Sequence, residues 1–159
     1  MIRNKRAEGY VQVCVLVIVI CMIMSVFVTF ASTVNVVRLM KRNSKTVLES
    51  YLMRDSIRIY DSIKQGTNDT EKDSLDSNFY YNSLKEFCTF ETHGNYLYHK
   101  GDDGVTDYYI STPHIGFTEQ GKLRLYVKYT LYVPIYFDRV KVSTAEIPIE
   151  VDLDLDERF

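Results

Sequence analysis

The residues best suited to chemistry in this chain are three histidines (His93, His99, His114), the aspartate pair in Gly101-Asp102-Asp103-Gly104, and a C-terminal carboxylate row. That row comprises Glu146, Glu150, Asp152, Asp154, Asp156 and Glu157. The histidines have no H-E-x-x-H or comparable metal-ligand spacing, and no C-x-x-C occurs. G-D-D-G lacks the regularly placed oxygen ligands of a calcium loop and reads as a hairpin turn. No serine sits in G-x-S-x-G, and there is no glycine-rich phosphate loop. The acidic row reads as the solvated face of a strand, open to cations or to a basic partner. These residues predict no enzyme: no catalytic group, no cofactor and no metal.

The elements that carry them begin with an apolar run. Gly9 to Val37 contains no charge and is mostly Val, Ile, Leu, Met and Phe, with Arg3, Lys5 and Arg6 before it. Its denser core, Val11 to Ala31, is long enough to cross the hydrocarbon of a bilayer as one helix. No cleavage signal for a removed leader follows it, so a retained anchor is expected. Cationic residues flank both ends, leaving the positive-inside rule undecided. The long polar remainder favours a cytoplasmic N-terminus in a single-pass inner (cytoplasmic) membrane protein, with the C-terminal domain extracytoplasmic. Residues 1–45 hold seven Lys/Arg against Glu8, and the remainder is acidic within an overall charge of −2. The basic collars suit membrane lipid headgroups, and the acidic exported part excludes nucleic acid as a partner. Cys14 and Cys21 fall within the apolar run and Cys88 stands alone, so the three cysteines make no disulfide framework.

From Ala31 to Lys64 there is neither Gly nor Pro, and Leu48, Leu52, Ile59 and Ile63, with Val47, Tyr51 and Tyr60 alongside, recur at helical spacing. One helix from Tyr10 to Gln65 would be roughly 80 Å long. The alternative is a break near Asn43–Ser44 followed by a separate core helix. Gln65 to Asn78 reads as a loop, and Phe79 to Phe90 as a short amphipathic helix with Phe79, Leu84, Phe87 and Cys88 on one face.

Period-two patterning then takes over. Tyr96–His99 and Val105–Ile110 form a hairpin around G-D-D-G. Lys122–Phe137 is a half-buried strand, with Leu125, Val127, Tyr129, Leu131 and Val133 inward and Lys122, Arg124, Tyr126, Lys128, Tyr132 and Tyr136 outward. A final strand alternates Ile147, Ile149, Val151 and Leu153 against the acidic row. A two-residue turn at Asp138–Arg139 sets Phe137 beside Val140 and Ile135 beside Val142, all on one face. One extra residue, expected between Ser143 and Glu146, keeps Leu131 from facing Glu146. That register faces Lys122, Arg124 and Lys128 toward the acidic row. Pro134 and Pro148 belong at edges or near the bulge. Tyr126, Tyr132 and Tyr136 are the candidate partner contacts, as an adhesive surface or as cross-strand packing.

The fold class expected is α+β: an N-terminal transmembrane helix, possibly extended, followed by a small antiparallel β-sheet domain. The expected divisions are 1–9 (cytoplasmic leader region), 10–37 (transmembrane helix), 38–65 (helical extension) and 66–159 (exported domain). Residues 5–12 read Lys-Arg-Ala-Glu-Gly-Tyr-Val-Gln: a basic pair, a small residue, then an apolar helix with one polar side chain near its start. This resembles the processing site of type IV pilin-like proteins, and more closely the TadE-like pseudopilins of bacterial tight-adherence secretion. The resemblance implies cleavage between Ala7 and Glu8 by a prepilin peptidase, and an assembly role for Gln12, the mature fifth residue. It also implies other pilin-like subunits and the assembly machinery as partners. Ala7 stands where the family usually has glycine, and Gln12 where it usually has a carboxylate; glutamine accepts a hydrogen bond but supplies no charge. The function expected is a minor pilin-like subunit of a type IV or tight-adherence pilus or secretion apparatus, unusual or tip-located. The alternative is an unprocessed signal-anchored interaction protein of a secretion or conjugation complex.

Overall fold

A computed structural model describes residues 4–65, 77–102, 104–118, 124–137 and 140–154. Its elements, in order, are helices α1 (Asn4–Gln65) and α2 (Ser77–Phe87), then strands β1 (Glu91–His93), β2 (Tyr96–Lys100), β3 (Thr106–Ser111), β4 (His114–Thr118), β5 (Arg124–Phe137) and β6 (Val140–Asp154). The protein is α+β, one long apolar N-terminal helix followed by a curled antiparallel sheet. It divides into two compact units, residues 1–36 and 37–159.

The first unit is α1 up to residue 36. It holds the stretch long and apolar enough to cross a membrane, and none of that stretch is buried within the protein. Two of its polar side chains bond locally: the Thr29 and Thr33 hydroxyls donate to the carbonyls of Ser25 and Thr29, at 3.0 and 2.9 Å. Such internal bonding leaves the outside of the helix apolar, as a hydrocarbon environment requires.

In the second unit, α1 is unbroken at Asn43–Ser44, and the reason lies in what it packs against. Met40, Ser44, Val47, Leu48, Tyr51 and Leu52 are all buried, recurring every three or four residues along one face. The expected stripe at Val47, Leu48, Tyr51 and Leu52 is therefore present and extends back to Met40 and Ser44. Ile59, Tyr60 and Ile63, like the expected loop after Gln65, lie outside the described residues or side chains. Helix α2 buries Tyr80, Leu84 and Cys88, whereas Phe87 is 56% exposed. Of the expected face, Leu84 and Cys88 are buried, Phe79 is half-buried with Tyr80 beside it turned fully inward, and Phe87 is exposed. The i, i+4, i+8 row through Tyr80 is the one that turns inward. Helix α2 ends where Thr89 adopts φ 54° and the Phe90 amide bonds back to the Lys85 carbonyl at 2.8 Å, satisfying a terminal acceptor.

Strand β5 is the axis of the sheet. It pairs with β6 along one side; along the other it pairs first with β4 and then with β3, which leads to β2 and β1. The hairpin expected around G-D-D-G is present, with Leu97 opposite Ile110 and Gly104 at φ 75° in its turn. Between β5 and β6 the pairing Leu131↔Ile147 keeps apolar residues together, as the inserted residue was meant to ensure. The insertion itself is placed differently. Ile135 faces Ser143 and Tyr136 faces Lys141, so Val142 is the extra residue, and it is exposed rather than inward. Pro134, opposite Thr144, has the parity of Thr130, whose amide turns to Ser111 and away from β6, so it sits beside the bulge where the β5–β6 ladder requires no donor. Pro148 lies on β6, which pairs only with β5 among the described residues. The inward face, with Leu97, Ile110, Leu125, Val127, Tyr129, Leu131 and Ile149, forms the core with the helices.

Candidate interaction face

The opposite face of the sheet is open, and its residues are set by register. Glu91, Tyr98, Tyr109, Tyr132 and Glu146 lie in one row across five strands, because each is the Cα partner of the next. Strands stand about 4.8 Å apart, so aromatic side chains in one row stack at that distance. Tyr98 and Tyr109 stack with centroids 4.9 Å apart, and Tyr109 and Tyr132 at 4.8 Å with planes only 7° apart. Tyr96 stands edge-on to both Tyr109 and Tyr132, at 5.7 and 5.8 Å. His93 closes the far end, edge-on to Tyr98 at 5.6 Å. A carboxylate ends the row on each side. Glu91 pairs with Lys100 and lies 3.7 Å from His93, and the hydrogen bond and charge of Lys100 hold its carboxyl below the usual range. Glu146 has no ion-pair partner among the described residues.

Next to this row lies a shallow recess of about 250 Å³, lined by Ser111, Thr112, Lys128, Thr130, Pro148 and Glu150 among others. It opens where β3 leaves β5; there the Ser111 hydroxyl takes over as acceptor for the Thr130 amide at 2.9 Å. Lys128 and Glu150 pair at 2.9 Å, and Arg124 pairs with Asp152 and Asp154. The expected meeting of Arg124 and Lys128 with the acidic row is therefore present, whereas Lys122, Asp156 and Glu157 lie outside the described residues. Exposed pairs of this kind guide register more than they stabilise.

The three tyrosines singled out from the sequence do not form one patch. Tyr132 belongs to the stack. Tyr126 packs over Gly116, where an added Cβ would meet its hydroxyl at 2.5 Å, and the Lys128 ammonium lies 4.9 Å from its ring centre. Tyr136 reaches away to the Thr106 carbonyl, at 3.3 Å. Tyr96, Tyr98 and Tyr109, which complete the cluster with Tyr132, were missed by reading β5 alone. The signal lay in the β2–β3 hairpin, whose register sets Tyr98 opposite Tyr109. Of the other candidates, Gln12 is exposed on α1, and the side chains of Ala7 and Glu8 are outside the description. His99 stacks on Tyr108 at 4.7 Å and lies 3.5 Å from Asp107, while His114 is exposed opposite Lys128. Among the described residues no three His, Cys, Asp or Glu side chains converge on a point.

Behind the open face, a hydroxyl cluster ties α1 to the sheet. Ser44 Oγ and Tyr129 Oη are 2.6 Å apart, the Tyr129 hydroxyl reaches the Met40 carbonyl at 3.4 Å, and the Tyr80 hydroxyl donates to the Ser44 carbonyl at 3.4 Å. Burial pushes the Tyr80, Tyr108 and Tyr129 phenols well above their ordinary range, with Ser44 partly opposing this at Tyr80 and Tyr129. The sign of the linkage follows. An unfolded phenol ionises near pH 10 and a buried one does not, so stability present below pH 10 falls as the pH rises beyond it. Phenolate absorbance during an alkaline titration should show these three tyrosines ionising only together with loss of the folded circular-dichroism signal. Their ionisation while the fold persists would contradict the burial.

No protein-family model matches the chain, and comparison with curated proteins and with solved structures returns no match.

Proposed function

We propose that this chain is a membrane-anchored, pilin-like subunit of the TadE-like kind, which works by assembling with other subunits and not by catalysis. The observation that carries the reading is the division of labour along α1. Within one helix, residues 10–28 are mostly apolar and exposed throughout among the described residues, and residues 40–52 carry the side chains buried against the sheet domain. Lys5-Arg6-Ala7-Glu8 precedes the apolar stretch, as a prepilin peptidase site would. In this reading the N-terminus is cytoplasmic, the peptidase removes residues 1–7, and the sheet domain lies outside the cell membrane. Other pilin-like subunits, the assembly machinery and membrane lipid are its partners.

The test is the mass of the N-terminal peptide of protein recovered from its native host. A peptide beginning at Glu8 is expected. Intact residues 1–7, in cells whose peptidase processes other substrates, would favour the signal-anchored interaction protein instead. Gln12→Glu should match or exceed the native chain in incorporation into the apparatus, because it restores a charge that can pair with a neighbour's amine. Gln12→Leu should fall below it, since it keeps neither charge nor hydrogen bond. Equal incorporation of the two would remove Gln12 from the assembly role.

A further inference from the structure

Unit 37–159 carries two exposed faces of opposite charge at one level. Tyr129 points inward, where its hydroxyl reaches Met40 and Ser44, and its strand neighbours Lys128 and Thr130 point the other way, toward the recess. The recess therefore lies directly behind the turn of α1 that holds Met40 and Ser44. On the far side of that turn, Arg38, Arg42 and Lys45 are exposed together with Leu39, and Arg42 lies nearly opposite the docked residues by helical geometry. Arg38, Lys41, Arg42 and Lys45 have no ion-pair partner among the described residues, and no carboxylate falls between positions 38 and 45. The sheet face is the complement. It holds Glu91, Glu146, Glu150, Asp152 and Asp154 against Lys100, Arg124, Lys128 and, beyond the bulge, Lys141, and Glu146 is left over beside Tyr132.

We propose that the open sheet face of one copy docks on the basic face of α1 of a second copy, with Arg42 of one seated between Tyr132, Glu146 and the recess of the other. Guanidinium groups suit such a site, because they stack on aromatic rings while donating to carboxylates and hydroxyls. Tyr and Arg are also the residues that most often carry the energy of protein interfaces. Tyr132 ends the stack, so among the described residues one side of its ring has no aromatic neighbour, next to Glu146. The two surfaces differ, so each docked copy still offers one sheet face and one helix face. The contact is head-to-tail and repeats along a row of subunits. The inference deepens the assembly reading and rests on it, since copies must stand side by side in one membrane.

The test uses full-length chains with Cys14, Cys21 and Cys88 changed to alanine, co-expressed in one membrane as Arg42→Cys and Glu146→Cys copies carrying different tags. Mild oxidation should link the two kinds to each other. Tyr132→Ala in the Glu146→Cys copy should lower the yield about tenfold, the loss of one interface anchor worth ~1.4 kcal/mol. Three results would overturn the proposal. One is Glu146→Cys copies linking to themselves as readily. Another is Arg42→Cys staying shielded from a water-soluble maleimide when the other copy carries Glu146→Lys, which would assign the basic face to lipid headgroups. The third is no mixed link while chains keeping Cys21 alone cross-link through their apolar helices; assembly would then stand and this surface would fail. Absence of both links would sink the assembly reading with it.

Discussion

Leu48→Ala should lower the unfolding free energy of the full chain by about 2–5 kcal/mol, the range for emptying a closed leucine site in a core. Leu48 is fully buried on the face of α1 that meets the sheet, between Ser44 and Leu52. Its loss leaves a cavity that a helix held at several other points cannot collapse to fill. The chain has no tryptophan and thirteen tyrosines, so near-ultraviolet circular dichroism of the tyrosines, followed through a denaturant titration in mild detergent, reads the transition. Leu39→Ala is the control. Leu39 is 47% exposed on the other side of the helix, and its truncation should change stability by no more than about 0.5 kcal/mol. Equal losses at both positions would mean that α1 does not dock as described.

The second large effect concerns the hydroxyl cluster. Tyr129→Phe removes one oxygen and leaves the buried Ser44 hydroxyl without its 2.6 Å partner. Stranding a buried polar group costs about 1–3 kcal/mol, more than the net worth of the bond itself. Ser44→Ala alone takes the short bond from the Tyr129 hydroxyl and leaves it only the 3.4 Å contact with the Met40 carbonyl. The double variant leaves neither oxygen behind, so it should be markedly more stable than the sum of the single losses predicts. A double-mutant cycle measures this directly. Additive losses would show that the two hydroxyls do not act as a pair.

The sequence announced its local patterns well and its distant partnerships poorly. The alternation in Arg124–Phe137 and Val140–Asp154 is a property of each strand alone, and pairing apolar with apolar was enough to recover their register. The need for a bulge was equally legible, since the inward set could not stay in phase without one. Its position was not, because Val142 is apolar and nothing local marks it as outward. Ser44 illustrates the other limit. As a serine beside Asn43 it looks like the end of a helix, and only a tyrosine 85 residues further along the chain makes it a core residue. The tyrosine row lies between these cases. Its members sit on three strands, so no window of sequence contains it, although hairpin pairing already sets Tyr98 against Tyr109.

Strand β6 carries a consequence for how such a protein avoids sticking to itself. A fifteen-residue strand that, among the described residues, is paired on one side only is an open template for another chain's backbone. On this one, Pro148 removes a donor near the middle, the bulge at Val142 bends one end away, and Glu150, Asp152 and Asp154 line the rest with charge. Each makes backbone-to-backbone zipping unfavourable. In the assembly proposed above, association falls to side chains, whose contacts form and release one subunit at a time, and that separates an assembly that can be taken apart from an aggregate that cannot.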